Sequence, residues 1–213
     1  MKILSHRGYW KTVKEKNTST AFQRSFSMGF GTETDIRDFN QKLVISHDMA
    51  TGMEMDLDSF LKLAHSSKSS LTLALNIKAD GLAPMLHQTL KNYPSLDCFV
   101  FDMSIPDMRS YFNYGIPVFT RMSEVEQTPV WIDRAEGVWL DSFESEWFDA
   151  SVIQNLLRKN KRVCIVSPEL HQRSYLPLWE HIKHLSDEPH LLLCTDNPEQ
   201  ASQYFLGQQR KTV

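Results

Sequence analysis

The chain has 213 residues, of which 41% are apolar and 23% charged, with a net charge of −3; this fits one globular domain with a well-buried core. Without a basic or acidic run, that charge argues against a nucleic-acid binder. No apolar stretch approaches the roughly 18–20 residues of a membrane span, and the opening "MKILSHRGYWK" lacks the apolar core and cleavage site of a signal peptide.

From the start of the chain, short apolar runs alternate with segments of helical spacing. "KILSH" reads as a strand, followed by a helix over 18–28 that Asn17 or Thr18 can cap and that Gly29 and Gly31 can end. "GTETDIRDF" is the second strand, and after an "NQK" turn "LVISHD" pairs back on it as a hairpin. The spacing predicts a helix over 56–66 with Leu57, Phe60, Leu61 and Ala64 on one face. "LTLALNIK" and "CFVFDM" follow as strands, with helices over 82–92 and 105–113.

Beyond the strand "PVFTR", the segment containing "MSEVEQ" and "VWIDRAE" offers no more than a short helical turn. "GVWLDSF", "RVCIVS" and "HLLLCTD" are strands, with helices over 149–160, 175–186 and 197–206. Val152, Leu156 and Leu157 form the apolar face of the first of these helices. Eight strand-like runs, most followed by a helix, fit a (β/α)8 barrel in a single domain spanning 1–213. An open doubly wound sheet is the runner-up. The terminal "QQRKTV" reads as a solvated end, and Cys98, Cys164 and Cys194 sit in apolar strands as buried thiols, which points to a reducing cytoplasm.

In a barrel, chemistry collects at the C-terminal ends of the strands. Those ends carry His6 and Arg7, Glu33 and Asp35, Asn76 and Lys78, Asp102 and Ser104, Thr120 and Arg121, Asp141, Ser167 and Glu169, and Thr195 and Asp196. Side chains alternate along a strand, so Glu33 and Asp35 share one side, as do Asn76 and Lys78. Two neighbouring carboxylates remain ionised together only beside a cation or strong donors. Hard oxygen ligands suit Mg2+ or Ca2+. His6 and His47 can move protons near neutral pH, while Arg7 and Lys78 can hold an anion. This set suits displacement at a phosphate diester.

"SHRG", "KNTSTAF", "MGFGTETDIR" and "LVISHD" together resemble the opening signature of the glycerophosphodiester phosphodiesterase family, over roughly residues 5–48. The ending "LLLCTDNPEQ" is similar to the family's Thr-Asp-x-Pro strand, and "LALNIK" takes the place of its Glu-x-Lys strand. The resemblance implies a (β/α)8 barrel of the phospholipase-C-like phosphodiesterase type that hydrolyses a glycerophosphodiester with a divalent ion, Mg2+ or Ca2+. It implies His6 and His47 as the acid/base pair, Glu33 and Asp35 as metal ligands, Arg7 as a phosphate contact and Lys78 as support. The same plan admits a lyase forming a cyclic phosphate, and a barrel that binds phosphodiesters without turnover.

The chain departs from the family at three places. Asn76 stands where a third metal carboxylate is usual, and Lys16 replaces an acid. "MATGMEM" after His47 is short where an insertion is usual, which predicts an open mouth able to admit a bulky, glycan- or lipid-linked glycerophosphate. In "VSPELHQR", Arg173, with His171, is either an anion contact or the partner of Glu169 in a rim salt bridge. Arg121 and Glu124 are either a substrate contact or a structural pair, and Trp10 and Trp139 are candidates to line the mouth. The remaining histidines (His65, His87, His181, His184 and His190) fall on helices or before a strand, in surface or packing roles.

Overall fold

The computed structural model describes residues 1–67 and 69–207, so the expected solvated end "QQRKTV" lies outside the described residues. Eight strands alternate with helices along the chain, and a ninth makes a hairpin. They are β1 Lys2–His6, β2 Gly31–Phe39, β3 Lys42–Ile45, β4 Thr72–Ile77, β5 Asp97–Phe101, β6 Phe119–Met122, β7 Gly137–Leu140, β8 Arg162–Val166 and β9 Leu191–Thr195. The helices are α1 Ser19–Ser27, α2 Leu57–His65, α3 Ala83–Leu90, α4 Ile105–Asn113, α5 Ala150–Arg158, α6 Leu176–Ile182 and α7 Pro198–Leu206. Among the described residues β6 has no helix after it; a tight turn at Ser123–Glu126 follows instead, closed by hydrogen bonds in both directions.

Two compact units divide the chain, His6–Phe119 and the remainder, which joins Met1–Ser5 to the residues from Thr120 onward. In the first, β4 runs parallel between β2 and β5, with Asp35 opposite Asn76 and Asn76 opposite Phe101. The hairpin forms as the sequence predicts: β3 pairs antiparallel with β2, Ile36 opposite Ile45. Its tip uses Asn40 and Gln41, both at positive φ (47° and 63°), the left-handed pair that matches strand twist. In the other unit β1, β9, β8 and β7 pair in parallel in that order, with Ser5 opposite Thr195.

Both faces of the strands are covered, so they read as continuous apolar runs rather than alternating ones. Leu73, Ala74 and Leu75 of β4 and Leu191, Leu192 and Leu193 of β9 are fully buried. All three cysteines are buried thiols outside any disulfide, as expected. On α2 the face Leu57, Phe60, Leu61 and Ala64 is buried as predicted. On α5 the buried residues are Ile153 and Leu156, with Val152 and Leu157 at the margins of the stripe; the predicted face is off by one position. None of the helices among the described residues is long and apolar enough to cross a membrane.

Local geometry at the end of β1 carries the fold into the site. Thr18 caps α1, and a Schellman turn closes it: Gly29 at φ 74° donates to Phe26 O and Phe30 donates to Ser25 O. After His6 the chain turns through Arg7 (φ 57°) and Gly8 (φ 82°). A Cβ on Gly8 would lie 2.7 Å from Ala21 Cβ and 2.9 Å from Ala21 C, so α1 can approach this turn only over a glycine. Gly8→Ala is expected to destabilise the protein by about 2–4 kcal/mol through left-handed strain and overpacking. Urea unfolding checks this, and a loss under about 0.5 kcal/mol, the range of an ordinary surface change, would contradict the packing account.

Candidate active site

Within the unit His6–Phe119, β2 and β4 bring their polar side chains to one cluster. Glu33 and Asp35 are buried, at 2% and 0% exposure, an expensive place for two acids unless charge and hydrogen bonds answer them. Asp35 is answered by three groups. Arg7 Nε lies 2.9 Å from Oδ2 and Lys78 Nζ 3.4 Å from Oδ1, both as ion pairs. Asn17 Nδ2 donates to Oδ2 at 2.8 Å. The turn at residues 7–8 is tied to β2 as well, with Arg7 N–H donating to Glu33 O and Gly8 N–H to Thr32 Oγ1.

Glu33 is answered less completely. His6 Nε2 lies 3.9 Å from its Oε2, and Asn76 gives it a side-chain hydrogen bond. Burial, then the negative charge of Asp35, push its carboxyl well above the usual carboxylate range, against the pull of Arg7, Lys78 and Asn76. Glu33 Oε2, Asp35 Oδ1 and Asn76 Oδ1 are each buried without a hydrogen-bond partner.

Those three lone-pair oxygens, on paired strands, are a hard donor set of the kind that Mg2+ or Ca2+ takes with water completing the shell. The residues therefore fit a divalent cation. No group of three or more His, Cys, Asp or Glu poised for a metal occurs among the described residues, because the third oxygen here belongs to an amide.

His6, Arg7, Glu33, Asp35, Asn76 and Lys78 thus come together as the sequence suggests. His47 sits beyond the end of β3. Ser46 N–H donates to Asp35 O, which anchors the preceding residue beside the acid. The imidazole itself is half exposed, and its Nδ1 lies 2.8 Å from Asp48. Asp48 is held below the usual range, first by His47 and to a smaller extent by Arg7 and Arg37.

Sequence reading missed the place of Asn17. Offered with Thr18 as a cap for α1, it leaves the cap to Thr18, sits at φ 60° and bridges Asp35 to Thr34, whose hydroxyl donates to Asn17 Oδ1 at 2.9 Å. Its only sequence signal was that Thr18 beside it already sufficed as the cap. Lys16, the position that departs from the family's acid, places Nζ 4.5 Å from the centre of the Trp10 ring.

In the other unit several polar strand ends are satisfied internally. Glu169 does not pair with Arg173. Its carboxylate accepts from the hydroxyls of Ser167 and Thr195 and from Asp196 N–H. Arg173 turns instead to Ser142, and His171 to Asp141. Arg121 pairs with Glu126 at 2.8 Å rather than with Glu124, whose carboxylate accepts from Phe143 and Glu144 N–H. Trp139 is a core residue at 4% exposure and lines no mouth.

The raised carboxyl of Glu33 makes the metal-free protein sensitive to pH with a defined sign. A group that holds its proton more tightly when folded contributes stability below its ordinary value, 4.5, and loses it as pH rises through the raised one. In EDTA, unfolding free energy is expected to fall from pH 5 towards 8 by up to about 1.4 kcal/mol per pH unit from this group. Glu33→Gln removes that part of the slope. Denaturant melts across this range that run parallel for the two proteins would contradict it.

No protein-family model matches the chain, and no curated protein matches it in sequence. Solved structures do. A protein assigned as a glycerophosphodiester phosphodiesterase from Galdieria sulphuraria superposes with a TM-score of 0.76 at 16% identity, covering 96% of this chain and 97% of that one. A phosphodiesterase from Oleispira antarctica, in complex with the product sn-glycerol-3-phosphate, gives a TM-score of 0.69 at 13% identity, with 96% of each chain covered. A Ca2+-dependent phosphatidylinositol-specific phospholipase C from Streptomyces antibioticus gives 0.56 at 9% identity, over 97% of this chain and 96% of that one. By this likeness, and with its strands largely separated by helices, the chain has a (β/α)8 barrel fold.

Proposed function

We propose that this chain is a single-domain phosphoric diester hydrolase acting on a glycerophosphodiester-type substrate, with His6 and His47 moving protons and a divalent cation, Mg2+ or Ca2+, held by Glu33, Asp35 and Asn76. The observation that carries the reading is the buried cluster of His6, Arg7, Glu33, Asp35 and Lys78, with three oxygens left without partners. Support comes also from fold neighbours that are named as glycerophosphodiester or phosphatidylinositol phosphodiesterases.

Arg7 and Lys78 take the phosphate's non-bridging oxygens and oppose the negative charge that grows on them as a fifth oxygen approaches phosphorus. Each already faces Asp35, which fixes its position before substrate arrives. One imidazole removes the proton of the attacking water while the other protonates the departing alkoxide, so two protons change hands and the product is a phosphate monoester with a free alcohol. Glu33 lies beside His6 Nε2 and Asp48 beside His47 Nδ1, and these contacts orient the two rings. A bound cation supplies further positive charge at the phosphate oxygens and orients them.

The segment between β3 and α2 supports a bulky substrate. Residues 51–54 form a compact turn in which Glu54 accepts from Thr51 N–H, Thr51 Oγ1 and Gly52 N–H, and these bonds bring its carboxyl down to about 2. Met49 and Met53 stay 84% and 91% exposed, and no inserted subdomain separates β3 from α2. A glycan- or lipid-linked glycerophosphate is thus the substrate class expected to exceed glycerophosphocholine in kcat/KM.

His6→Ala and His47→Ala are each expected to lower kcat on a glycerophosphodiester about 100- to 10,000-fold, and EDTA to abolish turnover until Mg2+ or Ca2+ is restored. Phosphorus NMR of the products reads the reaction directly. Wild-type rates in both alanine variants would remove the proton-transfer roles, and tight diester binding without product under every cation would identify a binding barrel instead.

A further inference from the structure

The unit that begins at Met1–Ser5 and resumes at Thr120 holds a second polar cluster. We propose that Arg173 and His171 form an anion-binding site there, for a phosphomonoester or carboxylate. Loops after the last two strands of a (β/α)8 barrel commonly cradle phosphate. Here that cradle is already filled from within, because the hydroxyls of Ser167 and Thr195 and the N–H of Asp196 all donate to the carboxylate of Glu169. With Glu169 so engaged, Arg173 has lost its nearest acidic neighbour in the sequence.

The loop is built to aim both side chains at one place. A 3-10 turn over Pro168–His171 ends at Gln172 in the left-handed region, φ 59°, closed by Gln172 N–H donating to Glu169 O and Arg173 N–H to Pro168 O. His171 Nε2 then meets Asp141 Oδ1 at 2.7 Å, and Arg173 Nη2 donates to Ser142 O and Oγ. The two side chains are thereby anchored on consecutive residues after β7. Asp141 is held in turn, its Oδ1 accepting from Ser142 N–H and its O from Trp147 Nε1.

His171 already faces the carboxylate of Asp141, whereas Arg173 lacks a partner of opposite charge among the described residues. Arg173 makes no ion pair within 4.0 Å among the described residues, and its Nε is buried without a hydrogen-bond partner. A guanidinium stays charged at any physiological pH and is costly to leave partly buried and uncompensated. His171 uses only Nε2, so Nδ1 remains for a ligand, and the ring packs 5.0 Å from half-exposed Phe143. An oxyanion answers the charge of a guanidinium whose remaining N–H groups have no acceptor among the described residues. The anion is one free in solution, and the site does not depend on the proposed phosphodiesterase reading.

Carbon–proton NMR of [13C]histidine-labelled protein tests the site, with the His171 signal assigned from His171→Asn. Titration with inorganic phosphate, and separately with acetate, at fixed pH is expected to shift that signal saturably in the wild type and at least tenfold more weakly in Arg173→Gln, with Arg173→Lys between them. No saturable shift with either anion, or an identical one in Arg173→Gln, overturns the proposal.

Discussion

Two acids two residues apart on one buried strand are the constraint around which the first unit is organised. Glu33 and Asp35 are both nearly inaccessible to water, and inside a protein the repulsion between neighbouring acids is larger than on a surface. Every unusual local feature nearby answers that burden. Arg7 takes a left-handed conformation and presents Nε to Asp35. Gly8 exists because α1 must come close enough to bring Asn17 over the same carboxylate. Lys78 follows Asn76 by two residues, where strand alternation sends both to the same side. A run that reads as strand by its neighbours thus carries acids that contribute nothing to packing.

Polar residues at strand ends divide into two kinds, and burial alone does not separate them. Glu169 and Asp141 have their oxygens filled by donors from their own unit. Glu33, Asp35 and Asn76 are buried more deeply than Glu169, yet each keeps an oxygen without a hydrogen-bond donor. A stable native structure seldom leaves such atoms bare. The unfilled set is the one on which the proposed function rests, whereas the filled set ties its own unit together. By the same test Arg173 belongs with the unfilled group despite its position in the well-satisfied unit.

Much of this was legible before any coordinates. Strand and helix positions follow from apolar runs of fixed length and from caps with a local cause, such as Thr18 and Asp56, whose side chains accept from N–H groups three residues on. The E-x-D pair and the Asn-x-Lys pair were readable because a period of two is rigid. What escaped was long-range choice among equivalent local options. Asn17 and Thr18 both suit a cap, and only the position of Asp35 decides which one is released for it. Arg121 has two acids within five residues, and the turn at Ser123–Glu126 selects Glu126. Trp139 stands in a strand buried on both faces, so its aromatic bulk serves the core.

Charge counting then explains why an amide at Asn76 is tolerable. Arg7 and Lys78 both face Asp35, while burial and the charge of Asp35 push the Glu33 carboxyl up. A third buried carboxylate at position 76 would add its own desolvation cost and a further repulsion on Glu33 in the metal-free protein. The amide avoids that cost and still presents an oxygen, while its N–H group supports Glu33. In exchange, a cation in the proposed site meets less negative charge than three acids would offer. The balance struck at Asn76 is thus between a centre that folds unaided and one that grips its ion hard, and the pairing of Asp35 with Arg7, Lys78 and Asn17 favours the first.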